Sequence, residues 1–79
     1  MNIKVLGPGC KNCHELLERT QAAVAELGVA ADVEYVTEMA RITDFVMLTP
    51  GLVIDEKVVH AGKPLPQVER IKQLITEAK

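Results

Sequence analysis

Tryptophan is missing from this 79-residue chain, and Tyr35 and Phe45 are its only aromatic side chains. Its core must therefore be aliphatic, built from the Val, Ile, Leu and Ala that make up most of the 48% apolar content. No apolar run approaches the length of a signal core or a membrane span, so no membrane partner is expected. Basic clusters are also absent. The net charge of −2 is dispersed, whereas binding to a phosphate backbone needs grouped Lys and Arg, so nucleic acid is excluded as a partner. Cysteine is scarce as well. Two residues, three apart, cannot form the multi-bridge framework of a small secreted scaffold, and a cytoplasmic setting is expected. A bridge between them would close so short a loop that stapling is a poor reason for the pair.

A chain of this length makes one domain, spanning residues 1–79, with a modest core. Residues 2–6 alternate and are β-branched, which predicts a strand, and Gly7-Pro8-Gly9 then interrupts regular structure. From Cys13 onward Leu16, Leu17, Thr20, Ala23, Val24 and Leu27 recur every three or four residues up to Gly28, predicting a helix with Cys13 on its buried stripe. Residues 32–36 alternate again as a second strand. Thr37 is the expected cap of a second helix, with Glu38 in its first turn and Met39, Ile42, Phe45 and Val46 on its inner face. Met39 and Met47 read as core fillers.

Leu52-Val53-Ile54 is apolar throughout, as a strand covered on both faces should be. The next strand, Lys57 to Ala61, follows after only Asp55 and Glu56, which predicts an antiparallel hairpin without the usual turn glycine. Pro64 and Pro66 open a last helix with Val68, Ile71, Leu74, Ile75 and Ala78 on its apolar stripe. The order β-α-β-α-β-β-α, with right-handed crossovers, predicts an α/β fold. Its first two strands run parallel in a four-stranded mixed sheet with helices on both faces.

The chemistry concentrates at Cys10-Lys11-Asn12-Cys13. Cys10 precedes the first helical turn, where unpaired amides and the positive end of the helix dipole favour a thiolate and lower its pKa. Lys11 and His14 add charge that can tune the pair. Cys13, one turn further in on the apolar side, is expected to stay protonated until needed. Cys10 is thus the attacking sulfur and Cys13 the resolving one.

Together, the Gly-Pro-Gly-Cys10-Lys11-Asn12-Cys13 segment after a strand, Thr49-Pro50 before a strand, and the Val-Ile-Asp-Glu-Lys-Val-Val hairpin followed by Gly62 resemble the small redox-active disulfide proteins of the thioredoxin-like group, close in size to glutaredoxins. The resemblance spans nearly the whole chain. It implies the thioredoxin-like fold and thiol–disulfide exchange, with a protein disulfide as substrate and a protein as reductant. It further implies a cis Pro50 against the dithiol and a substrate-binding role for the backbone of Thr49. The residues themselves show only a Thr-Pro before an apolar strand, which a trans proline ending a loop explains equally. Several features depart from larger thioredoxins. Gly9 stands where they have tryptophan before the first cysteine, Lys11-Asn12 replaces their Gly-Pro insert, and their buried acid has no evident counterpart. The glutathione-binding pattern of glutaredoxins is missing, and no cofactor is assigned.

Two rival chemistries use the same cysteines. Cys10-Lys11-Asn12-Cys13-His14 matches the pentapeptide that attaches c-type haem, but the strand and hairpin pattern is unlike a helical haem cage. A soft-metal carrier is the stronger alternative, since two thiolates suit Cu(I) and such carriers also place the pair between a first strand and first helix. They usually have a Met two residues before the first cysteine, where this chain has Pro8, and finish on a strand. A structural zinc would need two further ligands, and His14 with the distant His60 is a poor pair. His60 is read as an exposed strand residue, and the protein as a monomer.

Overall fold

The computed structural model describes residues 1–9, 11–62 and 64–78. Its elements follow the order β1 (Asn2–Leu6), α1 (Lys11–Leu27), β2 (Asp32–Val36), α2 (Met39–Ile42), β3 (Gly51–Ile54), β4 (Lys57–Ala61) and α3 (Val68–Glu77). The four strands form one mixed sheet in the order β2-β1-β3-β4. β1 and β2 run parallel, from Asn2 opposite Asp32 to Leu6 opposite Val36. β3 is antiparallel to both β1 and β4. This is the α/β architecture expected from the alternating strand and helix patterns.

Alternation along β1 divides the core between the two faces of the sheet. Ile3 and Val5 join Leu16 and Ala23 of α1, Leu52 and Ile54 of β3, and Ile71, Leu74 and Ile75 of α3 in the larger cluster. Leu6 points the other way, into a smaller cluster with Val36, Ile42, Val46 and Val53 that Phe45 partly covers. Thus α1 and α3 lie on one face and α2 on the other. β3 is buried along its whole length, as its unbroken apolar run requires.

Three local expectations need correction. The second helix is a single turn capped by Glu38 in an extended conformation, not by Thr37. Val36 is still tied to the sheet, accepting a 3.0 Å hydrogen bond from the Gly7 amide, so the chain cannot turn into a helix at the next residue. Ile42 and Val46 reach the core, while Met39 at the start of α2 and Met47 in the segment after it do not. They are 53% and 96% exposed, not core fillers. Finally, Pro64 and Pro66 precede α3 instead of forming its first turn, which begins after Gln67.

The β3–β4 turn works without glycine because Asp55 and Glu56 both adopt left-handed conformations, with φ of 49° and 71°. Each side chain has a partner. The Asp55 carboxylate accepts a 2.8 Å hydrogen bond from the Asn2 amide, and the carboxylate of Glu56 accepts one of 2.8 Å from Lys4 Nζ. A register shift between Leu52 and Val53 then sets His60 opposite Leu52. It is half-buried, not exposed, and its Nε2 donates to the Gly62 carbonyl at 2.8 Å.

Candidate active site

The carboxyl ends of the parallel strands β1 and β2 meet the start of β3 at one end of the sheet. α1 begins there too. Its first turn contains Lys11, Asn12 and Cys13 and no acid, so nothing of opposite sense competes with an anion at the helix start. Cys13 is fully buried on the inner stripe of α1, with Leu16, Thr20 and Ala23 following at three- and four-residue steps. Cys10 lies outside the described residues.

The Cys13 sulfur rests on the backbone of Gly7. A Cβ added to Gly7 would collide with Cys13 Sγ and come within 2.7 Å of Cys13 Cβ. Gly7 is therefore glycine because helix and strand approach each other too closely for any side chain. Gly9, with φ of 102°, turns the chain between the two. In the sequence Gly7 signals only a break after the strand. Its packing role depends on a contact six residues away, for which neither propensity nor periodicity carries a signal.

The second component is the Thr49–Pro50 peptide bond, which is cis, as the family resemblance implied and the local sequence did not require. Pro50 is fully buried. Its carbonyl accepts a 2.9 Å hydrogen bond from the Gly62 amide, and Gly51 pairs with Leu6, the residue before Gly7. The packing of the Cys13 side chain on Gly7, and the main chain from Gly7 through Leu6 and its partner Gly51, thus link Cys13 to Pro50 and half-buried Thr49.

Lys11 and His14 share the outer face of α1, where with Glu15 and Glu18 they line an open depression of about 400 Å³. The His14 ring also meets Tyr35 of β2 edge-on, with centroids 5.4 Å apart. No acid is buried among the described residues, whose buried polar side chains are Lys4 and Thr20. Lys4 is directed to Glu56, at the opposite end of β1 from Gly7. Nor does any group of three or more His, Cys, Asp or Glu side chains converge on a metal site among those residues.

Comparison with known proteins agrees with this arrangement. The family model described as thioredoxin domain matches residues 1–76. A thioredoxin of Methanocaldococcus jannaschii is 39% identical over 71 residues, covering 90% of this chain and 81% of its own length. A thioredoxin of Methanothermobacter thermautotrophicus is 34% identical over 77 residues, 96% of this chain and 99% of its own. The fold and site define a small α/β protein of the thioredoxin-like class. Within that class, the chain belongs to the thioredoxin family. Nothing in these relatives' names favours the soft-metal carrier. Among the described residues, no helix is long and apolar enough to cross a membrane.

Proposed function

We propose that this protein is a dithiol–disulfide oxidoreductase in which Cys10 attacks and Cys13 resolves. The observation that carries the reading is the full burial of Cys13 against Gly7, at the end of the sheet where cis Pro50 lies. A buried thiol resists ionisation and makes a poor first nucleophile. One turn earlier, the helix start favours a thiolate through unpaired amides and the dipole, and Lys11 and His14 supply nearby positive or titratable charge.

In the reaction the Cys10 thiolate forms a bond to one sulfur of a substrate disulfide, and the other substrate sulfur leaves as a thiolate that takes up a proton. Cys13, losing its proton, then attacks the Cys10 sulfur and expels the second substrate thiol. The substrate gains two electrons and two protons, and the protein becomes the Cys10–Cys13 disulfide. A second dithiol, carried by a protein reductant in a reducing compartment such as the cytoplasm, restores it. Thr49 offers its backbone to the substrate chain beside Pro50, and the protein acts as a monomer. No cofactor is needed for this cycle.

Insulin disulfide reduction by the wild type, Cys10→Ser and Cys13→Ser tests the cycle. Both variants should lose turnover, and Cys13→Ser should accumulate mixed disulfides through Cys10. Accumulation in Cys10→Ser alone would reverse the roles. An inactive wild type that purifies with stoichiometric copper would replace the reading altogether.

A further inference from the structure

Gly7 is held in place by its neighbours in the sheet. Its amide donates to the Val36 carbonyl at 3.0 Å, and Leu6 just before it is fully buried and paired with both Val36 and Gly51. Cys13 is held as firmly from the helix side, because Leu16, Thr20 and Ala23 on the same stripe of α1 are fully buried too. Among the described residues, the three atoms nearest a Cβ on Gly7 all belong to Cys13: Sγ, Cβ at 2.7 Å and Cα at 3.7 Å. A methyl group at position 7 would thus meet the Cys13 side chain first. With strand and helix both packed, the cheapest response is to turn and lift that side chain, since rotation about one bond costs less than moving close-packed backbone.

We propose that Gly7 is a positioning residue for the resolving step: its bare main chain is a seat that sets the depth of Cys13 Sγ and so governs when the second sulfur reacts. The inference rests on the exchange reading above and assigns Gly7 to one half of the cycle alone. First attack is the work of Cys10 and the helix start, and needs nothing from position 7. Resolution differs, because Cys13 Sγ must meet the Cys10 sulfur in a fixed geometry, and a misplacement of about 1 Å can slow such a step by about a hundredfold. The seat also keeps Cys13 beneath the surface, where a substrate disulfide cannot reach it first. Lifted off Gly7, Cys13 becomes more accessible to outside reagents and worse placed for its own partner.

Stopped-flow reaction of the reduced, full-length protein with one equivalent of dithiobis(nitrobenzoate) separates the two steps, because each releases one coloured thiolate. In the first, the Cys10 thiolate bonds to one reagent sulfur and the other leaves. In the second, Cys13 gives up its proton, bonds to the Cys10 sulfur and expels the remaining thiolate, leaving the Cys10–Cys13 disulfide. Cys13→Ser should stop after the first release, which assigns the second to Cys13. Gly7→Ala should keep the first rate and slow the second by about tenfold or more, with circular dichroism checking its fold. In a Cys10→Ser background the same substitution should speed iodoacetamide modification of Cys13 by about tenfold. An unchanged second release in the folded variant overturns the seat, as does equal slowing of both releases, the mark of a general loss of structure. Should Gly7→Ala not fold, Cys10→Ser with Gly7 intact decides. Its Cys13 should react at least about a hundredfold more slowly in the native protein than in urea, and comparable rates overturn the seat. A wild type that releases one thiolate only removes the exchange reading and the seat with it, a result set apart by the missing second phase.

Discussion

The Cys13 side chain packs so closely on Gly7, the residue after β1, that no Cβ fits between them. Gly7→Ala must push the sulfur or the helix away. Overpacking of this kind typically costs about 1–3 kcal/mol. The variant should melt earlier than wild type and reduce insulin more slowly, whereas Gly9→Ala, which meets no atom within 4 Å, should be limited to the strain of its positive φ. Equal melting of Gly7→Ala and wild type would show that the contact relaxes without consequence. Lys4 presents a different case. Its side chain is only 10% exposed, paired with a Glu56 that is 68% exposed, and its Nζ lies 5.7 Å from the Phe45 ring centroid. Glu56→Gly relieves a left-handed non-glycine residue but leaves the cation without its carboxylate. The net effect should be a loss of about 1 kcal/mol, tempered by the solvent around Glu56. Adding Lys4→Met should restore or exceed wild-type stability, as chemical denaturation of the four proteins in the cycle would show.

Among the elements, α1 and α3 are joined by apolar packing and by polar clasps at their margins. Arg19 Nη1 donates to the Pro66 carbonyl at 3.1 Å, ahead of α3, and Lys72 of α3 bridges to Glu26 of α1 at 3.0 Å and to Glu69 at 3.1 Å. The hydrogen bond that Lys72 donates to Glu26, then the one it donates to Glu69, raises the Lys72 pKa above its ordinary 10.5. A raised folded value means that this stabilisation is fully present below the unfolded pKa and disappears as pH climbs through the folded one. The melting difference between wild type and Lys72→Met should therefore stay constant through neutral pH and shrink only above pH 10.5, where the ammonium deprotonates. A difference that already changes near pH 7 would point to another group. The elements also differ in how far their sequences foretell them. Period-two alternation of polar and apolar residues locates β1 and β2 to the residue, although β1 is buried on both faces from Ile3 to Leu6 while β2 alternates between exposed and half-buried as far as Tyr35. The long α1 announces itself by its three-and-four spacing, and with it the burial of Cys13. α2 is less legible: one turn is too short to hold a period, and its cap is displaced by the tie between Val36 and Gly7. The half-burial of His60 depends on a register shift that only pairing with β3 creates.

For the whole molecule, small size makes each core side chain count. Ile71 is completely buried in the cluster shared by the sheet, α1 and α3. Ile71→Ala should cost about 2–5 kcal/mol, against total stabilities that commonly fall near 5–15 kcal/mol. Its thermal midpoint should drop sharply, while Met47→Ala should stay within about 0.5 kcal/mol of wild type. The two outcomes together would separate the part of the apolar content used for folding from the part left at the surface. Residues of the second kind are hard to recognise in sequence, since a methionine fills a core and stands at a surface equally well and Met47 carries no mark of which it does. The cis geometry of Pro50 is similarly invisible locally, and only the whole-chain resemblance implied it.

The β3–β4 turn carries a practical consequence through its hold on Asn2. With the Asn2 amide bound to Asp55, and Asn2 opposite Asp32 at the start of both parallel strands, the beginning of β1 lies at the far end of the sheet from Gly7 and Cys13. A tether attached ahead of Asn2 would leave the molecule at that remote pole, so a surface or fusion partner coupled there would present the thiol end outward and unobstructed.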